Sequence, residues 1–269
     1  MQSNVSSPCV SPCVLLTATI RVREDMCFTV RADATLRAED YRRSFVKWLT
    51  VPGVERIVFV ENSGCDLSEF VEIARRYSHK RVECLSFLCP PYPGHRGKGY
   101  GEAFIVDYAL QNSELISESR HLIKASGRYY VRNIETLIAF VKANPELQAI
   151  CNLQRHLTWA DSRVFCGSRD FVAGYLLPFS EIIDDTQGVC FENALARAVH
   201  RLMSEGGRWS MLPRAPEIEG VHATNNRAYS VNPIRVALRQ GMHWARCQLL
   251  GGPYLSSRRI GMSGVGGQK

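Results

Sequence analysis

Two glycine-rich segments near the middle of this sequence carry positive charge. The first, Arg96-Gly97-Lys98-Gly99-Tyr100-Gly101-Glu102, is predicted to be a loop that an amphipathic helix follows directly, and the second is Lys124-Ala125-Ser126-Gly127-Arg128. Glycine lets backbone amides approach a ligand closely, and the N-terminus of a helix attracts anions. Arginine and lysine add fixed positive charge beside those amides. The residue types and their spacing therefore predict a phosphate-binding site.

Three carboxylates in the second half of the chain, Asp184, Asp185 and Glu192, could act on whatever that site binds. A positioned carboxylate can serve as a general base towards a hydroxyl group. We favour Asp185 as the base, because a loop carboxylate at a sheet edge reaches a substrate readily. The alternative is structural: Asp184 or Asp185 caps the following helix, and Glu192 interacts with the helix dipole.

Hydrophobic periodicity predicts strands that alternate with helices along the first half of the chain. The predicted strands are 14–20, 56–61, 82–88 and 121–125, and the predicted helices are 33–49, 67–77 and 134–143. This alternation predicts an α/β fold with a mostly parallel sheet flanked by helices. Ligands bind at the carboxyl ends of such strands. Asn62 and both glycine-rich segments follow predicted strands, so we expect them to meet at one sheet edge.

The second half has a less regular pattern. It predicts a short strand at 149–153, a helix at 191–203 and a basic amphipathic helix at 235–250, whereas 162–175 mixes aromatic and polar residues. His95 and His156 have no visible carboxylate partner, so a histidine-based mechanism is not expected. Asn62 is open to two interpretations, as a cap of the turn at Ser63-Gly64 or as a ligand contact.

Composition is that of a folded protein of 269 residues with a formal net charge of +7. No apolar run reaches the length of about 20 residues that a membrane-spanning helix needs. The ten cysteines form no CxxC pair, so we expect no zinc site and a reducing, cytoplasmic environment. No nucleic-acid-binding motif is visible, and we expect no nucleic-acid partner.

Basic residues cluster near the C-terminus. They are Arg235, Arg239, Arg246, Arg258 and Arg259. The ordinary interpretation is a solvated helix face. The functional alternative is docking to anionic lipid, which would add peripheral contact with the inner face of the membrane to a cytoplasmic location.

Residues of about 14–200 resemble GT-A-like bacterial glycosyltransferases of polysaccharide (capsule and O-antigen) biosynthesis. The resemblance is carried by three segments in order: Glu61-Asn62-Ser63-Gly64, Gly97-Lys98-Gly99-Tyr100-Gly101-Glu102, and Lys124 to Asn133. It implies a single GT-A-like, Rossmann-type α/β domain at 13–250. In that domain 13–145 would bind a nucleotide sugar and 146–250 a saccharide or lipid-linked acceptor. A disordered N-terminus at 1–12 and a flexible tail at 251–269 complete the predicted organisation.

The resemblance also assigns roles to individual residues. Thr17, Glu61 and Asn62 would contact the nucleoside, and Glu102 would orient donor hydroxyls. Gly97, Lys98, Gly99, Lys124, Gly127 and Arg128 would bind or position the diphosphate, while Asp184, Asp185 and Glu192 would activate the acceptor.

The sequence departs from the better-known GT-A enzymes where they carry a metal-binding Asp-x-Asp motif. That place holds Ser126-Gly127-Arg128. Since fixed cations can stabilise a developing negative charge, we expect transfer without a metal or other cofactor, with Lys124 and Arg128 facing the leaving phosphate. Asp184-Asp185 is the alternative position for a divalent metal.

Two other functions remain open from the sequence. A nucleotidyltransferase acting on a sugar phosphate would use the segment from Arg96 to Gly99 to hold a triphosphate. It would normally need metal-binding carboxylates nearby, and only Glu102 and Asp107 are close in sequence. A non-catalytic scaffold of a polysaccharide assembly complex would bind sugar nucleotides without turnover.

Overall fold

A computed structural model describes residues 11–26, 29–221, 227–229 and 232–250. The predicted tail at 251–269 and most of the predicted disordered N-terminus lie outside these residues. The strands are β1 (Cys13–Ala18), β2 (Arg56–Glu61), β3 (Arg81–Ser86), β4 (His121–Ser126), β5 (Tyr130–Val131), β6 (Ala149–Ile150), β7 (Leu153–Gln154), β8 (Trp159–Ala160), β9 (Val164–Ser168), β10 (Trp209–Ser210) and β11 (Ile218–Glu219).

The helices alternate with these strands through the first half of the chain. The α-helices are α1 (Ala34–Thr50), α2 (Ser68–Arg75), α3 (Gly97–Asn112), α4 (Glu114–Ser117), α5 (Ile134–Ala143), α6 (Arg169–Phe171), α7 (Phe191–Ser204) and α8 (Pro233–Leu249). Short 3-10 turns occupy Gly94–Arg96, Leu177–Ile182 and Asp185–Gln187, and a π-helical turn occupies Val172–Leu176. Within the described residues, no helix has the length and apolarity that crossing a bilayer requires.

The described residues form one central seven-stranded sheet in the order β10-β6-β9-β4-β1-β2-β3. Strands β4, β1, β2 and β3 are parallel neighbours, β6 is parallel to β10, and β9 runs antiparallel between β4 and β6. The predicted class, an α/β fold with a Rossmann-type, mostly parallel sheet flanked by helices, is confirmed. In register, Thr17 of β1 stands beside Val60 of β2 and Ser126 of β4, so the three strands end together.

Both faces of the sheet are buried, and β1 shows how the sequence achieves this. Val14, Leu16 and Ala18 face a core built with α1, α2 and α5. Cys13 and Leu15 face a second core built with α3 and α7. Because successive strand residues point to opposite faces, a strand covered on both sides reads as a continuous apolar run.

Two sequence predictions about elements are wrong. The glycine-rich segment is not a loop that precedes a helix, because α3 begins at Gly97 and includes its glycines. The predicted strand at 149–153 is divided into β6 and β7, and the central strand β9 was not assigned at all. Strand β9 is short and fully buried, so it lacks the alternation that marks a half-exposed strand.

Candidate active site

A cavity of about 440 Å³ opens at the carboxyl ends of β1, β2 and β4. Most of the predicted site residues line it: Thr17, Asn62, Lys98, Gly99, Glu102, Lys124, Arg128, Asp185 and Glu192. Glu61, Gly97, Gly127 and Asp184 do not line it, and each has a structural role described below. The volume lies within the range of about 300–1,000 Å³ that is usual for small-molecule sites.

A buried ion pair forms the floor of the cavity. Lys124 is 1% exposed, and its Nζ lies 2.6 Å from Glu102 Oε1 and donates to the carbonyl of Ser162 at 2.9 Å. The hydroxyl of Thr17 donates to the same Glu102 oxygen at 2.8 Å. A buried charge is tolerated when it is paired and hydrogen-bonded. The charge of Lys124 is therefore already compensated by Glu102. In this structure Glu102 binds Lys124 and Thr17, and its predicted contact with donor hydroxyls stays a prediction.

Glu61 and Asn62 shape the wall after β2. Glu61 is fully buried and accepts backbone N–H groups of Ile20, Ser63 and Cys65 at 2.9–3.0 Å. It holds the turn together and does not line the cavity, so the predicted nucleoside contact of Glu61 is replaced by a structural role. Asn62 lines the cavity, accepting from the hydroxyl of Thr19 at 2.7 Å and donating to the carbonyl of Gly101.

The glycines of α3 make room for protein side chains. Gly97 has φ +75°, and a Cβ at this position would collide with the side chain of Asp185. Cβ atoms on Gly99 and Gly101 would crowd Phe191 and Tyr92 respectively. The Asp185 carboxylate also accepts the backbone N–H of Lys98. The carboxylate of Asp185 thus packs against the first turn of α3.

Asp184 caps the turn that follows it. Its Oδ1 accepts the backbone N–H groups of Thr186 at 3.0 Å and Gln187 at 3.2 Å, and the hydroxyl of Thr186 at 2.6 Å. The Thr186 hydroxyl holds the pKa of Asp184 below its usual value. Contrary to the sequence analysis, His95 does have a carboxylate neighbour, since its Nε2 lies 3.8 Å from Asp184 Oδ2.

Asp185 lines the cavity, and the pKa of its carboxyl group is raised. Burial raises the pKa of Asp185 to about 6, and the negative charges of Glu192 and Asp184 add to this, while Lys98 opposes it. Glu192, in the first turn of α7, accepts the hydroxyl of Ser162 at 2.8 Å. A base with a pKa near the working pH is well suited to proton transfer.

Arg37 and Arg128 form the cationic wall of the cavity with Tyr41 between them. Arg37 donates to the carbonyls of Thr19 at 2.7 Å and Arg31 at 3.0 Å, and to the Tyr41 hydroxyl at 3.2 Å. Burial lowers the pKa of Arg37, and the charge of Arg128 lowers it further. Arg128 is 8% exposed, and its buried Nε has no hydrogen-bond partner among the described residues.

The position of Arg128 depends on Gly127. The N–H of Gly127 donates to the carbonyl of Thr17 at 2.8 Å, and a Cβ there would press on Thr17, Tyr41 and Phe59. The turn can therefore pack onto β1 and aim Arg128 into the cavity. Within the described residues, neither Arg37 nor Arg128 has a hydrogen-bonded carboxylate.

The sequence analysis missed Arg37 and Arg163, which also line the cavity. Arg37 lies one turn before Tyr41 on the buried face of α1, and this spacing is the signal that could have identified it. Arg163 is neutralised by Asp161, to which it donates at 2.8 Å and 2.6 Å. Arg37 and Arg128 are therefore the buried arginines of the cavity without a hydrogen-bonded carboxylate among the described residues.

The described side chains form no metal site made of protein ligands alone. Across the described part of the chain, no cluster of three or more His, Cys, Asp or Glu side chains is arranged to hold a metal ion. Asp184 turns its Oδ1 to Thr186 and Gln187, whereas Asp185 packs on Gly97 and Lys98. The two carboxylates of the alternative metal position are thus engaged with different parts of the backbone.

No family model matches the chain, and no curated protein matches it in sequence. Solved structures of low identity do match. A mannosyltransferase from Pyrobaculum calidifontis, in complex with GDP-Man and Mn²⁺, has a TM-score of 0.46 and 14% identity, covering 90% of this chain and 66% of its own. A putative nucleotide-diphospho-sugar transferase from Desulfovibrio desulfuricans has a TM-score of 0.43 and 8% identity, covering 75% and 79%.

A cytidylyltransferase from Leptospira borgpetersenii has a TM-score of 0.41 and 10% identity, covering 87% of each chain. Similarities at this level assign neither a reaction nor a substrate to this chain.

Proposed function

We propose that this chain is a glycosyltransferase that moves a sugar from a nucleotide-sugar donor to a hydroxyl of a saccharide or lipid-linked acceptor in surface polysaccharide biosynthesis. One observation carries the proposal. A single cavity at the carboxyl ends of the parallel strands joins two arginines without carboxylate partners to a carboxylate whose pKa is about 6. Diphosphate binding and proton abstraction are the two tasks that glycosyl transfer sets.

The arginine wall is the place for the diphosphate in this proposal. Arg37 and Arg128 present guanidinium groups, which match the geometry of phosphate oxygens. Lys124 contributes less than its position predicts, because Glu102 already balances its charge. Lys98, which lines the same cavity, supplies a further cation near Asp185.

Asp185 would act on the acceptor. In an inverting transfer its carboxylate takes the proton of the acceptor hydroxyl as that oxygen bonds to the anomeric carbon. The bond from that carbon to the diphosphate oxygen breaks, and its electron pair stays on the diphosphate. Arg37 and Arg128 would stabilise the negative charge that develops there. In this proposal no step passes through a metal.

Nucleotide binding and turnover test this function separately. Thermal shifts would be measured with nucleoside diphosphates, CMP and nucleotide sugars, in EDTA and in Mn²⁺. A ligand at 100 times its dissociation constant stabilises the folded state by about 2.7 kcal/mol. Release of the nucleoside diphosphate in the presence of saccharide acceptors then reports turnover.

Each outcome separates one hypothesis from the others. A shift in EDTA with one nucleotide class, lost in Arg128→Ala and kept in Arg76→Ala, supports the arginine wall, because Arg76 is exposed and outside the cavity. A shift that requires Mn²⁺ overturns metal-free binding. Binding without turnover for any acceptor favours the scaffold alternative, and pyrophosphate release from a nucleoside triphosphate favours the nucleotidyltransferase.

A further inference from the structure

Helix α8 exposes an apolar stripe. Ile234, Leu238 and Met242 follow one another at intervals of four residues, with Leu249 continuing the same face, and they are 71%, 63%, 61% and 85% exposed. Trp244, about 80° from Ile234 around the helix axis, is 49% exposed. Contiguous exposed apolar side chains on one helix face mark a surface that contacts another apolar phase.

The opposite face of α8 is attached to the body through polar groups. Its buried residues are Gln240, His243 and Cys247. Gln240 exchanges hydrogen bonds with the backbone of Ala215 at 3.2 Å and 2.9 Å, and His243 Nε2 lies 2.7 Å from the carbonyl oxygen of Leu212. A helix packed on a water-soluble protein normally buries its apolar stripe. In α8 the polar residues face inward and the apolar stripe faces outward.

Arginines border the apolar stripe. Arg235 and Arg246 are exposed and, like Arg239, fall on the flank next to Met242 when successive residues are turned by about 100° around the helix axis. An apolar face flanked by basic side chains is typical of helices that lie in the interface of an anionic bilayer. The apolar residues enter the acyl boundary, and the arginines meet the headgroup phosphates.

The charge distribution along the sequence supports the same partner. From Gly220 to Lys269 the chain has seven arginines and lysines and no aspartate or glutamate. The formal net charge of the whole chain is +7, so the preceding 219 residues are balanced. The entire excess of positive charge therefore lies in the segment that contains α8.

We propose that α8 is a membrane-surface helix that docks the protein on anionic phospholipid. Charge argues against a second copy as the occupant. A two-fold interface through this face would place the arginines of both copies in one interface, where like charges repel. This inference stands independently of the proposed transferase activity, because it rests on α8 and the charge of residues 220–269.

Vesicle flotation with the full chain tests the proposal. Vesicles of phosphatidylcholine alone would be compared with vesicles that also contain phosphatidylglycerol, at low and high salt. We expect binding to the phosphatidylglycerol vesicles, weakened by salt because screening shortens the reach of the arginines. We also expect the tryptophan emission to shift to shorter wavelength on binding, and the shift to shrink in Trp244→Phe.

Two double variants separate the apolar and the electrostatic contributions. Leu238→Gln/Met242→Gln and Arg235→Gln/Arg246→Gln should each reduce vesicle affinity about tenfold or more, given the contribution of each basic or apolar group at a bilayer surface. Matched controls lie outside α8: Leu36→Gln/Val30→Gln changes two exposed apolar residues, and Arg76→Gln/Arg120→Gln removes the same charge. The controls should bind vesicles as the parent chain does.

Three results would overturn the proposal. One is equal affinity of the α8 variants and the controls for anionic vesicles. Another is a concentration-dependent dimer in sedimentation velocity that Leu238→Gln/Met242→Gln abolishes, without flotation of the parent chain. The third is a large fall in the melting temperature of that variant, which would show the stripe to be covered in the folded chain.

Discussion

The two glycine-rich segments were predicted to bind phosphate on the same grounds, yet the structure uses them differently. At the start of α3 the space beside Gly97, Gly99 and Gly101 is filled by Asp185, Phe191 and Tyr92. At the turn after β4, Gly127 packs on β1 and leaves the Nε of Arg128 without a partner at the cavity. A glycine therefore indicates a close approach, but not whether a ligand or the protein itself makes that approach.

The difference has an electrostatic consequence. The α3 start holds a carboxylate against a backbone N–H, and that carboxylate has a raised pKa. The Arg128 turn presents a guanidinium without a carboxylate partner in the described chain. One region is thus suited to moving a proton, and the other to holding an anion.

Asp185→Asn should have the largest effect. Loss of the base in an inverting transfer is expected to lower kcat/KM by about 10²–10⁴-fold at neutral pH. The amide oxygen can still accept the N–H of Lys98, so the start of α3 should be retained. Initial rates over a range of acceptor concentrations would measure the loss, with circular dichroism to verify the fold.

Asp184→Asn is the matched control for that variant. Asparagine caps helical turns about as well as aspartate, and Asp184 does not line the cavity. We expect near-parental activity from it. A loss in Asp184→Asn as deep as that in Asp185→Asn would mean that the adjacent carboxylates are not divided into a base and a cap.

Arg128→Ala should have the second-largest effect. Removing one positioned donor to a developing anion typically costs about 10²–10³-fold in kcat. The same variant should weaken nucleoside diphosphate binding in titration calorimetry. Arg128→Lys should recover only part of either property, because lysine keeps the charge but not the planar fork of donors. If Arg76→Ala lost as much, the effect would not belong to the cavity.

Much of the sheet was predictable, because its strands are continuous apolar runs and its helices carry clear apolar stripes. The bounds predicted for β2 and α5 are confirmed, and those for α1 are within one residue of the observed helix. The meeting of strand ends at one edge followed from the parallel arrangement alone. Strand β9 was missed because full burial erased its alternation.

The pairing of charges was not predictable from the sequence. Lys124 and Glu102 lie on β4 and α3, and they meet only because both elements pack on β1. Arg37 lies in the helix predicted at 33–49, in which the sequence analysis named no functional residue. A single sequence shows which residues are charged, whereas the partner of each charge depends on the tertiary fold.

Glu192→Gln should produce a smaller change, visible in the pH profile. As a general base, Asp185 is active only when it is deprotonated. On the acidic side kcat/KM should therefore rise with pH, with a midpoint of about 6. The charge of Glu192 helps to raise that pKa, so Glu192→Gln should move this acidic limb to lower pH. Asp184→Asn should move it in the same direction by less, since Asp184 is the weaker contributor.

An exposed carboxylate provides the control for this profile. Glu114→Gln, in the first turn of α4 and outside the cavity, should leave the acidic limb where it is. A limb that stays fixed in Glu192→Gln but disappears in Asp185→Asn would still identify Asp185 as the titrating group. It would remove Glu192 as a cause of the raised pKa.

The smallest expected effect concerns stability, and it has the opposite sign from the effect on activity. Because folding raises the pKa of Asp185 from 3.8 to about 6, the folded chain binds more protons than the unfolded chain between these values. Stability should therefore decrease as pH rises through this window, and the full cost is present above it. Asp185→Asn removes that cost. Discounted for the exposed share of the side chain, the gain should be about 1 kcal/mol at neutral pH.

Urea unfolding at pH 7 and at pH 4 measures this gain, and it should be present at the higher pH and nearly absent at the lower. Arg128→Ala offers the comparison from the other region, since it removes a buried cation that has no carboxylate partner and should show no such rise between these two values. If Asp185 lowers the free energy of unfolding and is also needed for turnover, its presence is explained by function and not by stability. Equal gains at both pH values would instead mean that Asp185 is ionised without cost, and the difference between the two glycine-rich segments would then be steric alone.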